Sequence, residues 1–382
     1  MGESSHQYIF VVCFTGDSGI THYSISLARE LSSHALVTLV TGKNYVRQGY
    51  PKAAFTVLPF FRRSRWYPLD LLRLFGLLRR HRPHTVLFQS VLKMALVEAL
   101  FVRTLRLFGI HTAMTIHDVL PHYPKPWNRW SHAFLYRSFN KLIVHSERSR
   151  ADVAALGVEK PMLVVPHGVY DIFMTQPPDR ALSRHRLTPF ADEDFVLLFF
   201  GKIDARKGIA RFLDLRQALA SEAGYRFAIA GRNGLRADEA ALASRLEEAR
   251  KSSDCVVHDH NIPFSEVQEY FALADVVVLP YEEGSTSGVL KLALAFGKPV
   301  IATDVGDIGE TLRADFGVLL PLASTTMDLM AAVHRVRAHL DEYAAACLAA
   351  RERYGWAHIG AEYARFLGGE VVGTPVLSEE SE

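Results

Sequence analysis

Short runs of Val, Ile, Leu and Phe with no polar alternation recur along this chain, and longer amphipathic stretches separate them. No other feature of the sequence limits the fold so sharply. Residues 8–14, 35–40, 55–58, 85–88, 112–116, 141–144 and 162–165 have this character, with helical patterns at 20–32 and 70–80 between some of them. A strand that is apolar on both sides is one covered on both faces, and strands alternating with helices build an open parallel sheet. A polar segment over 171–194, with Pro177, Pro178 and Pro189, reads as a linker. The rhythm then restarts at 195–200, 226–230, 255–258, 276–279 and 299–302. The expectation is α/β, with two Rossmann-like doubly wound domains over residues 1–180 and 181–355 that face each other across a cleft. A helix over 356–370 and an acidic, frayed tail over 371–382 close the chain.

Composition narrows the class. Of 382 residues 49% are hydrophobic and 22% charged, a balance that excludes disordered, collagen-like and coiled-coil chains. Three widely spaced cysteines (Cys13, Cys255 and Cys347) cannot build a disulfide framework or a zinc site, so a reducing compartment is expected. The apolar run at 8–14 has no basic segment before it and reads as a strand rather than a secretory leader. The longest greasy stretch, 86–107, is interrupted by Lys93, Glu98, Arg103 and Arg106, too early for a membrane span. Charge is divided unevenly, with 22 Lys and Arg against 11 acids up to residue 180, and 21 against 30 after it. The first half is therefore expected to meet something anionic. Nucleic acid is excluded as that partner, because the basic clusters are separate and no reader module accompanies them.

In doubly wound sheets ligands sit at the carboxyl ends of the strands, where loops and helix N-termini point. Five segments lie at such places. Gly16-Asp17-Ser18-Gly19 precedes a helix whose N-terminus can receive an anion, although it lacks the G-x-G-x-x-G spacing of a dinucleotide site. Residues 200–208 carry Gly201, Lys202, Arg206, Lys207 and Gly208, cations able to neutralise a diphosphate. Ala230-Gly231-Arg232-Asn233-Gly234 permits close backbone approach. Residues 279–288 bring Tyr281, Glu282, Glu283 and a Ser285-Thr286-Ser287-Gly288 cluster to the start of a helix over 289–296, donors for phosphate and acceptors for sugar hydroxyls. Thr115-Ile116-His117-Asp118 places a His–Asp pair at a strand end, suited either to acid–base work or to a structural role. No metal-ligating spacing, nucleophile elbow or Walker loop is present.

The order of these motifs resembles that of the GT-B glycosyltransferases, most closely the bacterial retaining enzymes of family 4. Ser18-Gly19-Ile20-Thr21-His22 with Leu27-Ala28-Arg29-Glu30-Leu31 is similar to the family's glycine loop and first helix. Val165-Pro166-His167-Gly168-Val169 resembles its V-P-N-G-V crossover, and Gly201-Lys202 through Lys207-Gly208 its G-R-x-x-x-x-K-G diphosphate motif, with Lys202 where arginine is usual. Ala274-Asp275-Val276 through Pro280 is similar to A-D-V-x-x-x-P, and Gly297-Lys298-Pro299-Val300-Ile301-Ala302 to the G-x-P-V-I-A strand. The resemblance implies a donor-diphosphate site of Gly19, Lys202, Lys207, Ser287, Gly288 and Val289. It implies a nucleotide and sugar site of Gly201, Gly231, Arg232, Asn261, Ile262, Tyr281, Glu282, Ser285 and Thr286. His117, Asp118 and Glu283 are the implied catalytic groups, with Asp118 holding the His117 tautomer, and Asp17 and His22 lie on the acceptor side. Trp356 and the final helix resemble the segment that crosses back to the first domain. One departure is clear: the family's E-x7-E pair aligns with Gly284 and Leu292, so the second glutamate, which grips the ribose, has no counterpart.

These implications define an expected activity, hexosyl transfer with retention from a UDP- or GDP-linked sugar to a saccharide, with neither metal nor other cofactor. Aromatic and basic clusters at 60–67, at Arg73, Arg79, Arg80 and Arg82, and at Trp127, Arg129 and Trp130 suit an anionic membrane surface. The expected acceptor is accordingly a polyprenyl-diphosphate-linked saccharide in cell-surface polysaccharide synthesis, on the cytoplasmic side of the plasma membrane. Two alternatives stay open: a nucleotide-sugar epimerase or phosphorylase of the same fold, and a non-catalytic saccharide-binding scaffold subunit, the latter motivated by Leu292.

Overall fold

The computed structural model describes residues 7–46, 54–62, 66–91, 93–121, 124–284 and 286–368. They form two compact units. One runs to Pro166 and includes the chain from Trp356 onward; the other runs from His167 to Gly355.

The first unit holds seven parallel strands: β1 (Tyr8–Val12), β2 (Leu36–Gly42), β3 (Thr56–Phe61), β4 (Thr85–Phe88), β5 (His111–Thr115), β6 (Lys141–Val144) and β7 (Met162–Val164), in the order β3-β2-β1-β4-β5-β6-β7. The second holds six: β8 (Phe195–Phe200), β9 (Tyr225–Ala230), β10 (Cys255–His258), β11 (Val276–Leu279), β12 (Val300–Thr303) and β13 (Gly317–Leu320), in the order β10-β9-β8-β11-β12-β13. Strand order reverses beside β1 in one sheet and beside β8 in the other, which opens a crevice at each carboxyl edge. Central strands such as β1 and β8 are buried almost throughout, because helices cover both sheet faces.

All twelve strands expected from the sequence are present, their ends shifted by a few residues. The thirteenth, β13, was not expected, because its burial alternates at the sheet edge and leaves no continuous apolar run. The linker expected over 171–194 is instead structured. It contains a 3₁₀ turn, Asp171–Phe173, and a helix, Arg180–Leu187, whose first turn is capped by the Asp179 carboxylate accepting from Leu182 N. Arg184 on that helix is fully buried and donates to Leu273 O, Ala191 O, Asp192 O and, at 2.8 Å, Asp275 Oδ2. Those charge-assisted bonds satisfy the guanidinium, so a segment that looks solvated in sequence is pinned to the core.

The boundary between the units falls at Pro166, not near residue 180. Residues beyond it belong with the second unit because Val169 N donates to Tyr354 O at 3.0 Å and Phe173 packs on Phe264 with ring centroids 4.4 Å apart. The last helix, Trp356–Gly368, lies against the helix Gly19–Leu31 in the first unit. Tyr363 Oη meets Tyr23 Oη at 2.9 Å and Thr115 Oγ1 at 3.1 Å, and Trp356 packs edge-on against Tyr23. The expected tail, 371–382, lies outside the described residues. No helix among the described residues is long and apolar enough to cross a membrane.

Candidate functional site

In the second unit three loops meet at the carboxyl edge beside β8. Gly201 (φ +109°) ends β8 and Gly231 (φ +142°) ends β9, and a Cβ on Gly231 would run into the Gly201 carbonyl. Gly208 (φ +71°) has the same relation to the Pro280 carbonyl, so only glycine lets the β8 and β11 loops close on each other. The loops are also bonded: Glu282 N and Glu283 N donate to Arg206 O at 2.9 and 3.2 Å.

Into this junction come both lysines singled out in the sequence. Lys202 Nζ pairs with Asp204 Oδ2 at 3.0 Å, and Asp204 Oδ1 accepts from Lys207 N, starting the turn Ala205–Lys207. Burial would push the Asp204 carboxyl up, but the Lys202 ammonium, the Lys207 N–H and the Arg206 guanidinium hold it below its ordinary value. Lys207 Nζ sits 3.7 Å above the centre of the buried Tyr281 ring, a cation–π contact that fixes its position. Val289 flanks the place where a Gly201 Cβ would lie.

The helix Gly288–Ala295 opens at Ser287, whose Oγ accepts from Leu290 N at 3.3 Å and donates to Tyr281 Oη. Ser287 is buried, and the helix start also offers backbone N–H groups. Thr286 Oγ1 likewise donates to Asp307 Oδ2 at 3.0 Å. The carboxylates of Glu282 and Glu283 are exposed, as are Arg232 and Asn261, and Ile262 is half-buried. Arg232 follows β9, and Asn261 and Ile262 follow β10, on the same sheet edge. Ser285 lies outside the described residues. Leu292, where the resemblance would put the second glutamate, is buried and apolar.

Beside it is a lysine that sequence reasoning passed over. Lys291 is buried, donates to Thr311 Oγ1 at 2.8 Å and faces the Tyr354 ring; burial pushes its ammonium down to about 8, with Asp307 opposing. A lone lysine inside Gly288–Ala295, a helix otherwise apolar, was the available signal.

In the first unit the helix Gly19–Leu31 begins beside β1, with Ser18 Oγ capping Thr21 N and Gly19 exposed in its first turn. Asp17 is exposed and His22 half-buried; burial lowers the His22 imidazole to about 4, with Asp17 opposing. His117 lies just past β5. Its Nδ1 lies 3.3 Å from His145 Nε2 and its Nε2 3.4 Å from Gln89 Oε1, while Asp118 is exposed. Burial, and then the neighbouring His145, hold the His117 imidazole well below its ordinary value, so it is neutral. Tyr23 packs edge-on against His117 and tilted against His145, at 4.7 and 5.3 Å. Gln89, His117 and His145 follow β4, β5 and β6, three neighbouring strands; being lone polar residues just past strand ends was their only mark in the sequence.

Elsewhere on the first unit the helices Tyr67–His81 and Ala95–Leu107 expose Leu69, Leu72, Leu96, Leu100 and Leu107 among Arg73, Arg79 and Arg80. Arg79 stacks on the exposed Phe108 ring at 4.9 Å, and Trp127 and Trp130 are exposed nearby in sequence beside Arg129. Arg63 to Arg65 lie outside the described residues.

Two family models match the chain: Glycosyl transferase 4-like domain over residues 18–168 and Glycosyl transferases group 1 over 194–339. A D-inositol 3-phosphate glycosyltransferase from Geodermatophilus obscurus is 26% identical over 200 residues, which is 51% of this chain and 44% of that protein, less than half its length. Among solved structures, sucrose-phosphate synthase from Thermosynechococcus elongatus covers 94% of this chain and 98% of its own, with TM-score 0.72 and 18% identity. Anabaena HepE in complex with UDP covers 95% and 100%, with TM-score 0.72 and 16% identity. At these identities the structures share the fold.

Proposed function

The chain belongs to the group 1 glycosyl transferases, with a glycosyl transferase 4-like domain ahead of the group 1 domain, and on that premise we propose that it moves a hexosyl unit from a nucleotide-diphosphate sugar to a saccharide acceptor. The observation that carries this reading is the convergence of Gly201, Gly208, Gly231, Lys202 and Lys207 at the carboxyl edge beside β8. Breaking the sugar–phosphate bond leaves an oxocarbenium-like sugar and adds negative charge to the departing nucleoside diphosphate. Two ammonium groups and the N–H groups of Gly288 and Val289 meet that charge, stabilising the transition state above the ground state. The proposed donor is UDP- or GDP-linked, and the UDP found with HepE favours uridine. On the acceptor side His117 orients the reacting hydroxyl, Asp17 and His22 are further acceptor-side candidates, and retention is the family's outcome.

The test is incubation with UDP- and GDP-hexoses, with and without saccharide acceptors, alongside thermal shifts. Product that needs the acceptor supports transfer; a changed sugar nucleotide without any acceptor means epimerisation, and no chemistry at all means a binding subunit. A nucleotide at 100 times its Kd raises stability by about 2.7 kcal/mol, enough to rank uridine against guanosine.

The proposed acceptor is lipid-linked, at a cytoplasmic membrane surface. Leucines and aromatic rings among arginines on Tyr67–His81 and Ala95–Leu107 support it, since rings sit at the lipid boundary while guanidinium groups meet anionic head groups. The protein is expected to float with vesicles containing phosphatidylglycerol and to detach as salt rises. Protein left wholly in solution overturns the membrane reading.

A further inference from the structure

Two hydrogen bonds clasp the start of the helix Gly288–Ala295 to the segment that leaves β12. Thr286 Oγ1, two residues before the helix, donates to Asp307 Oδ2 at 3.0 Å. Lys291 Nζ, one turn into it, donates to Thr311 Oγ1 at 2.8 Å. Asp307 precedes the short helix Ile308–Thr311 and Thr311 ends it; four residues apart, they share a face. Tyr354 secures the Thr311 end, since its hydroxyl donates to Thr311 O at 3.1 Å and its ring centre lies 4.6 Å from Lys291 Nζ.

The clasp is made of charges that a protein interior ordinarily excludes. Lys291 and Asp307 are both buried and within electrostatic reach of each other. Burial pushes the ammonium down and the carboxyl up, and each charge opposes the shift in its partner. Leu290 and Leu292 on either side are buried and apolar, so a leucine or methionine at 291 would fill the place without burying a charge. A buried pair of this kind adds little stability over apolar residues of like size, and its attested use elsewhere is to single out one arrangement of the groups it joins. Here those groups are the turn before Gly288 and the exit of β12. The same loop is tied at its other end, where Thr303 Oγ1 donates to Tyr281 O, and Tyr281 carries Lys207 over its ring.

We propose that Asp307 and Lys291 are positioning residues that fix the Thr286 turn, and with it the Gly288 and Val289 N–H groups, for the donor diphosphate. The proposal rests on the transferase reading for the ligand it names. Thr286, which the resemblance implies as a contact of the donor, acts in this account through Asp307.

A double-mutant cycle in the full chain tests it, read as kcat/KM for UDP- and GDP-hexoses and as the Kd of UDP and GDP alone. Asp307→Ala and Thr286→Val each remove one side of the same bond. Each is expected to lower kcat/KM on the order of ten- to a hundredfold, the scale of a misplacement by about 1 Å, with acceptor KM little changed. The double variant is expected to lose no more than about threefold beyond either single one, because a shared bond is lost only once. Losses that multiply mean that Thr286 meets the donor by itself, and they overturn the proposal. Because Asp307→Ala strands a buried ammonium, a second variant, Lys291→Met with Asp307→Leu, replaces both charges together by apolar groups. Its melting temperature is expected to match or exceed that of the unmodified protein while kcat/KM falls as in Thr286→Val. Unchanged kcat/KM in this variant or in Thr286→Val overturns the proposal. The two readings fail separately. Nucleotide binding that weakens in Thr286→Val, in a protein that transfers no sugar, upholds the clasp and overturns transfer; transfer unaltered by the variants does the reverse. A protein that binds neither nucleotide overturns both.

Discussion

His117→Ala lowers kcat for sugar transfer by about 10²- to 10⁴-fold, the usual worth of a positioned proton acceptor, while UDP or GDP still raises the melting temperature. The two effects separate because His117 belongs to the first unit, past β5, whereas the glycine loops and lysines that would hold the nucleotide belong to the second. Within its own unit the imidazole is neutral and hydrogen-bonded to His145, so its loss removes one oriented nitrogen rather than a charge. Steady-state kinetics with a saturating donor, set beside a thermal shift with the nucleotide alone, checks both halves. Turnover within a few-fold of the unmodified enzyme removes His117 from the reaction.

The second large effect is on leaving-group charge. Lys202→Ala and Lys207→Ala each cost on the order of 10²-fold or more in kcat/KM, by the measure of a lost oxyanion donor. The structure separates the two lysines in one respect. Lys202 is partly exposed and paired with Asp204, so a diphosphate must compete for its ammonium; Lys207 is held over Tyr281 and is already in place. Tyr281→Leu should therefore reproduce part of the Lys207 loss and none of the Lys202 loss. If both alanine variants keep kcat/KM within about threefold, far below the cost of an oxyanion donor, the diphosphate site lies elsewhere.

The sheets were legible in the sequence because a strand covered on both faces must be apolar on both sides, and runs such as Phe195–Phe200 admit little else. Legibility failed where burial and hydrophobicity part company. Arg184 is fully buried yet polar, so its helix passed for a linker. β13 is half-covered at an edge and carries no run. The loops of the candidate site were readable as glycines and cations after strand ends, since close backbone approach dictates glycine at Gly208 and Gly231. Their hydrogen-bond partners were not. Ser287 bonds Leu290 N and Tyr281 through its hydroxyl, and His117 meets His145, distant in sequence. Which residues from separate strand ends meet is decided by strand order and packing, and no residue pattern states it.

The return of Trp356–Gly368 to the first unit has a bearing on biosynthesis. Tyr363 braces Tyr23 and Thr115 beneath the two histidines, so that floor is incomplete until the final helix has emerged from the ribosome. The second unit, encoded later but contiguous from His167 to Gly355, can finish folding before it. The unit translated first is thus completed by residues translated after the whole of the second.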